Sequence, residues 1–189
     1  MNRYDYKFIH ARGICLEIEI KLLSENKEFV KAVSQMVYEE FVLPSSSKMS
    51  FDDVVDFFSD TYSSKFPITF IAILDHQCVG TVSIFENDFK KCTHFKPWLA
   101  SLYVDPNYRE RKIGMSLIDA LLKHLVSLGF REVYLKTENA AEYYLNRGWE
   151  FVESVIDDRN VNLDIFKHNL INKKLRTSKY GVSRYLSFY

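Results

Sequence analysis

Apolar and charged residues alternate through residues 16–23, with Leu16, Ile18, Ile20 and Leu22 set against Glu17, Glu19 and Lys21. A period of two predicts a strand with one face buried. The period then changes: Phe29, Val33, Val37 and Phe41 recur every four residues, which predicts a helix over 26–41 that breaks at Pro44 and the three serines after it. Ser50 is placed to cap a second helix, with Asp52 and Asp53 in its first turn and Val54, Val55, Phe57 and Phe58 along it.

Residues 68–74 form an almost unbroken apolar run. A turn at Asp75-His76-Gln77 leads into a second strand over 78–85, so the two read as an antiparallel hairpin. Gly80 inside it marks a bulge or a close backbone approach. A polar loop over 87–97 holds Lys90, Lys91 and Lys96, and 98–104 is another strand. Ile113, Leu117, Leu121 and Leu125 then stripe a helix over 112–128, which Gly129 stops. A short strand over 133–136, a short helix over 140–147, and strands over 149–155 and 161–166 complete the order β-α-α-β-β-β-α-β-α-β-β. This predicts one α/β (α+β) domain around a mixed sheet, with a core over about 14–168. Residues 1–13 and 170–189 read as terminal extensions.

Composition narrows the classes. The 189 residues are 47% hydrophobic and 15% aromatic, which suits one folded core and excludes a disordered chain. Formal net charge is zero, so no overall field favours nucleic acid or membrane, and either partner would need a local patch. The N-terminus lacks the apolar core of a signal peptide, and no apolar run is long enough to cross a bilayer. Cys15, Cys78 and Cys92 have neither zinc nor CxxC spacing; reduced thiols in the cytoplasm and no metal are expected.

Two stretches carry candidate chemistry. Leu102-Tyr103-Val104-Asp105-Pro106, followed by Tyr108 to Gly114, reads as strand, sharp turn and helix start. Arg109, Arg111 and Lys112 add cations where free backbone N–H groups converge, which suits a phosphate. The plain alternative is a basic helix start on a solvated surface. The second stretch, Thr137 to Trp149, places Tyr143 and Tyr144 on a short helix. Adjacent helical residues point about 100° apart, so one can be buried while the other lines a cleft; two core aromatics are the plain alternative.

Together these stretches resemble the GCN5-related N-acetyltransferase (GNAT) superfamily. Its members show Arg/Gln-x-x-Gly-x-Gly/Ala after a strand, then a helix, a strand and Ala-x-x-Phe-Tyr-x-x-x-Gly-Phe. This chain has Arg109-x-x-Lys112-x-Gly114 and Ala140-x-x-Tyr143-Tyr144-x-x-x-Gly148-Trp149. The resemblance implies the GNAT fold, a mixed and mostly antiparallel sheet with splayed central strands, and acetyl-CoA as acyl donor. It implies that the N–H groups of Arg111, Lys112, Ile113, Gly114 and Met115, helped by the Arg109 side chain, hold the pyrophosphate. The pantetheine arm would lie along Leu102, Tyr103 and Val104, pairing with the backbone of Leu102 and Val104, and a backbone N–H there would polarise the thioester carbonyl. Tyr144 matches the tyrosine that often protonates the leaving thiolate, and Thr137 stands where many members have an asparagine that contacts the pantetheine arm. Lys112 departs from the motif glycine. A helical φ there would suit lysine, leaving its charge to reinforce the phosphates or stand clear.

The acceptor side is less marked. An amine of lysine-like pKa is neutral in about one molecule in 2,500 at pH 7, so a base has to assist. Many family members carry a Glu near the strand that ends in the pyrophosphate turn, but here Ser101 precedes Leu102. The nearest carboxylates are Glu86 and Asp88, for which a solvated strand end is the alternative. Glu39 and Glu40 would attract a cationic amine, or are simply exposed helix carboxylates. Trp98 lines the acceptor pocket or packs in the core. The expected reaction is acetyl transfer to a primary amine, of a small molecule because no second domain holds a large one, by direct attack in a ternary complex. The alternatives are a non-catalytic acyl-CoA-binding or sensor module, and a protein- or RNA-associated acetyltransferase using the basic, aromatic segment 173–189. That segment otherwise packs on the domain or on a second subunit of a homodimer.

Overall fold

The computed structural model describes residues 6–11 and 14–170; the basic, aromatic C-terminal segment lies outside them. Eight strands form one sheet in the order β1-β2-β3-β4-β5-β6-β8-β7. They are β1 Tyr6–Ala11, β2 Ile14–Leu22, β3 Ile68–Leu74, β4 Gln77–Phe85, β5 Trp98–Val104, β6 Glu132–Thr137, β7 Glu150–Ile156 and β8 Asn162–Asn169. Every pairing is antiparallel except β5 with β6. The expected order of elements is present, and β1 adds an edge strand in a segment that reads as an extension in the sequence.

The helices are α1 Val30–Val37, α2 Phe51–Ser59, α3 Ile113–Ser127 and α4 Ala141–Leu145. The four-residue period of 26–41 is only partly α-helical: Lys27–Phe29 is a 3₁₀ turn and Tyr38–Val42 a π turn. Ser50 caps α2 as its sequence predicts. Its Oγ accepts from the Asp53 N–H at 3.2 Å, and the Asp53 carboxylate accepts from the Ser50 N–H at 2.7 Å.

The continuous apolar run of β3 has a direct cause, because helices cover both faces of the strand. Phe70, Ala72 and Leu74 pack with Ile113, Leu117, Leu121 and Leu125 of α3. Ile71 and Ile73 pack on the other face with Val33 and Val37 of α1 and Val54 and Phe58 of α2.

Two irregularities mark the centre of the sheet. First, β5 and β6 share a single residue pair, Trp98 with Tyr134, and then part. Trp98 and Leu99 are buried, whereas Ala100 to Val104 are only half-buried although β5 is an interior strand. Second, two residues of β5, Ser101 and Leu102, stand opposite one of β4, Val82, so β5 carries a bulge, with Ser101 at φ 51°. Gly80 lies against the same stretch. A Cβ there would sit 2.8 Å from the Tyr103 carbonyl oxygen, so glycine permits the close approach of β4 to β5.

Candidate active site

The Asp105 N–H donates to the Val79 carbonyl at 3.0 Å, toward β4. Backbone groups alternate sides along a strand, so those of Val104 and Leu102 face the opening left by β6. Asp105 also accepts from the Asn107 N–H at 2.8 Å and holds the tight turn after β5. The chain then reaches α3, whose first internal hydrogen bond runs from Ser116 N–H to Lys112 C=O at 3.0 Å. The N–H groups of Ile113, Gly114 and Met115 precede that bond. They are unpaired within the helix and carry the positive end of its dipole.

A pocket of about 300 Å³ opens over this helix start. It brings together seven residues singled out in the sequence: Val104, Arg109, Lys112, Ile113, Gly114, Met115 and Tyr143, the member of the tyrosine pair that lines a cleft. A Cβ on Gly114 would meet only Val104 Cγ2 at 3.6 Å, an ordinary contact. The missing side chain therefore makes room in the pocket, not in the core. Arg109 donates from Nε to the Val104 carbonyl at 3.1 Å, which ties the turn to the open edge of β5. Arg111 turns away, donating to the Asn107 carbonyl at 3.4 Å with its guanidinium over the Tyr108 ring.

Lys112 corrects a sequence expectation. Its φ is 60° and ψ 14°, left-handed and not helical. It is the N-terminal cap of α3, and its backbone geometry is the one that favours glycine, the residue of the family motif.

The sequence reading gave no role to Tyr108, Glu110 and Arg147, which line the same pocket. The Arg147 guanidinium lies 3.5 Å from the Tyr143 ring centroid and donates to the Tyr143 carbonyl at 2.9 Å. The i, i+4 spacing of the two on a helix was the available signal. Tyr143 is half-buried, and its neighbour Tyr144, 8% exposed, turns into the core against Trp149 and Phe166. Burial pushes the Tyr144 hydroxyl up to about 12, so it keeps its proton throughout the neutral range. The Thr137 hydroxyl accepts from the Ala140 N–H at 3.1 Å and holds the turn into α4.

A second pocket, of about 560 Å³, lies between α1, α2 and the β4–β5 pair, and includes Glu86, Asp88 and Ser101. Ser101 and Val104 put the two pockets three residues apart on one strand, about 10 Å. Glu86 pairs with Lys96 at 3.1 Å. Asp88 pairs with Lys136, which also donates to the Asp88 carbonyl at 2.8 Å. Burial raises the Asp88 pKa above its usual range, and the Lys136 charge offsets part of that rise.

The remaining candidates lie apart from both pockets. Glu39 and Glu40 are exposed on the π turn, and Glu39 accepts from Gln35. Their charges still reach the half-buried Tyr103. Burial first, then Asp105 and these two carboxylates, push its hydroxyl up. Trp98 is fully buried, packed with Cys92, Tyr134 and Ile165. Among the described residues no group of His, Cys, Asp or Glu could hold a metal, and no helix is long and apolar enough to cross a membrane.

A mixed sheet whose parallel central pair splays beside a bare helix N-terminus is the arrangement that the resemblance to the GNAT superfamily implies. The profile of the acetyltransferase (GNAT) family matches residues 31–149, and the chain belongs to that family. An uncharacterised N-acetyltransferase of Schizosaccharomyces pombe is 30% identical over 125 residues, 63% of this chain and 77% of that one. Solved structures share the fold. An aminoglycoside 6'-N-acetyltransferase complexed with coenzyme A aligns with a TM-score of 0.64 at 16% identity, over 82% of this chain and 98% of its own. A Salmonella typhimurium protein with its cofactor acetyl-CoA aligns with a TM-score of 0.62 at 16% identity, over 81% and 94%.

Proposed function

We propose that this N-acetyltransferase moves acetyl from acetyl-CoA to the primary amine of a small molecule, by direct attack in a ternary complex. One observation carries the reading: β5 and β6 part after a single pair, beside a pocket floored by the free N–H groups of α3. The pyrophosphate would take the N–H groups at the α3 start, with Lys112, Arg109 and Arg147 as cations. The pantetheine amides would pair with the outward backbone groups of Leu102 and Val104, which β6 leaves unpaired, sharing the Val104 carbonyl with the Arg109 side chain. The bulge at Ser101 frees backbone at the acyl end, where a fixed N–H donor stabilises the oxyanion.

In this mechanism the amine nitrogen attacks the thioester carbonyl carbon, and the tetrahedral intermediate expels the CoA thiolate. The amine proton passes to Asp88 or Glu86, directly or through water. Asp88 is the better base, because its raised pKa brings it closer to neutrality than an ordinary carboxylate. Tyr144, whose ring packs in the core and lines neither pocket, would donate a hydrogen bond to the departing thiolate from its hydroxyl. With its pKa near 12 it is a weaker acid than a thiol of about 8.5, so it stabilises the thiolate without a complete proton transfer. Glu39 and Glu40 would draw the ammonium in, Thr137 would orient the α4 turn, and Trp98 would fix β5 against β6.

The test is an assay of thiol release from acetyl-CoA over a panel of primary amines, alongside calorimetric titration with CoA. Saturable CoA binding and amine-dependent thiol release are expected. CoA binding without release for any amine would leave a binding module in place of the transferase.

A further inference from the structure

The second pocket has a wall that is aromatic and a charge that sums to zero. Phe41, Met49 and Phe57 line it, each a large apolar side chain about 40% exposed. Phe57 meets Phe85 edge to face, with ring centroids 5.3 Å apart, so the wall is braced from α2 to the end of β4. Its charged lining residues are Glu86 and Asp88, and each already has a lysine: Lys96 for the first, Lys136 for the second. Two carboxylates against two ammonium groups leave the pocket wall itself without net charge, and Glu39 and Glu40 stand exposed outside it, so a multiply charged cation would find its attraction at the rim and not inside. A molecule with several ammonium groups would also have to desolvate them against phenylalanine and methionine, with no free carboxylate in compensation. A singly charged amine beside Asp88 and Ser101 desolvates one ammonium group instead of several, and its apolar remainder gains from the phenylalanine and methionine wall.

We infer that this pocket selects a singly charged primary amine with an apolar, preferably aromatic, skeleton, and turns away polycations such as polyamines and amino sugars. The inference rests on the acetyl-transfer reading and names the acceptor class for it.

The full chain is assayed with acetyl-CoA and either 2-phenylethylamine, ethylamine or spermidine. Burying one phenyl ring predicts a kcat/KM for 2-phenylethylamine about 10- to 100-fold above that for ethylamine, with spermidine no better than ethylamine. Phe57→Glu, at a partly exposed site, should remove most of that preference, and Met49→Glu repeats the test should Phe57→Glu fail to fold. Spermidine turning over as fast as 2-phenylethylamine, or faster, overturns the inference and leaves acetyl transfer standing. If acetyl-CoA binds but no amine reacts, calorimetry with 2-phenylethylamine decides. Binding that is lost in Phe57→Glu sustains the pocket and removes the transfer reaction, whereas no binding overturns both. A short peptide beginning with phenylalanine runs alongside. Its turnover above that of a lysine-led peptide sustains the inference and moves the apolar amine to a chain end; the reverse order counts against it.

Discussion

Lys112 offers a perturbation in which stability and ligand affinity should move in opposite directions. The residue caps α3 at φ 60°. A side chain in the left-handed region costs about 1–2 kcal/mol, and glycine removes that cost. Glycine also gains freedom in the unfolded chain, which takes back about 0.4–1 kcal/mol. The net for Lys112→Gly is a gain of about 0–1.6 kcal/mol, or up to about 6 °C in Tm for a chain of this size. The same change removes a cation from the wall of the proposed pyrophosphate pocket. An exposed charge contact is worth little, so the loss in CoA affinity should be about two- to fivefold at low salt and shrink as salt rises. Lys112→Ala separates the two effects, because it keeps the strained backbone and loses only the charge. Scanning calorimetry and CoA titration at two salt concentrations read both quantities. A lower Tm for Lys112→Gly would refute the strain argument, and CoA affinity unchanged at low salt would show that the lysine stands clear of the phosphates.

Three further outcomes are expected. Tyr144→Phe keeps the ring contacts with Trp149 and Phe166 and should lower kcat about 10- to 100-fold with KM for acetyl-CoA nearly unchanged; in the wild type, kcat should show no alkaline fall from this group below about pH 10, since its pKa lies near 12. Asp88 is a base only when ionised, so kcat/KM should be lost as pH falls through its raised pKa, and Asp88→Asn should lower kcat/KM and abolish that acid limb, while an unmoved limb assigns the base elsewhere. Gly80→Ala drives a Cβ to 2.8 Å from the Tyr103 carbonyl and should cost about 1–3 kcal/mol in urea unfolding, whereas an unchanged midpoint would mean that β4 and β5 separate freely.

Side-chain period made most of the fold legible. The alternation of β2, the double-sided apolar run of β3 and the stripe of α3 each match the faces they bury. β1 was hidden because Tyr6-Lys7-Phe8-Ile9-His10-Ala11 has no clean period of two, and an edge strand needs only one neighbour. The last turn of the helix over 26–41 kept its apolar spacing while its hydrogen bonds widened to a π turn, a change that apolar spacing does not record. Backbone angles were equally silent. Neither the φ of Lys112 nor the bulge at Ser101 changes a hydrophobic pattern. At the site, residues close in sequence to the two motifs were found, whereas the Asp88–Lys136 pair joins positions 48 residues apart, which no local window can match. Arg147 was readable in principle from its place one helical turn after Tyr143, but lies outside the motif letters.

The parting of β5 and β6 has a mechanical consequence. In the backbone ladder a single residue pair joins the five strands β1 to β5 to the three strands β6, β8 and β7, while side chains from both parts share one core. A ligand pairing with Leu102 and Val104 would act as a short surrogate strand along the seam, turning two plates into one. Stability would then depend on donor concentration, rising by RT ln(1 + [L]/Kd). Backbone amides near the seam would exchange with solvent more slowly once the donor is bound, and the enzyme would be stiffest while loaded and loosest after releasing CoA.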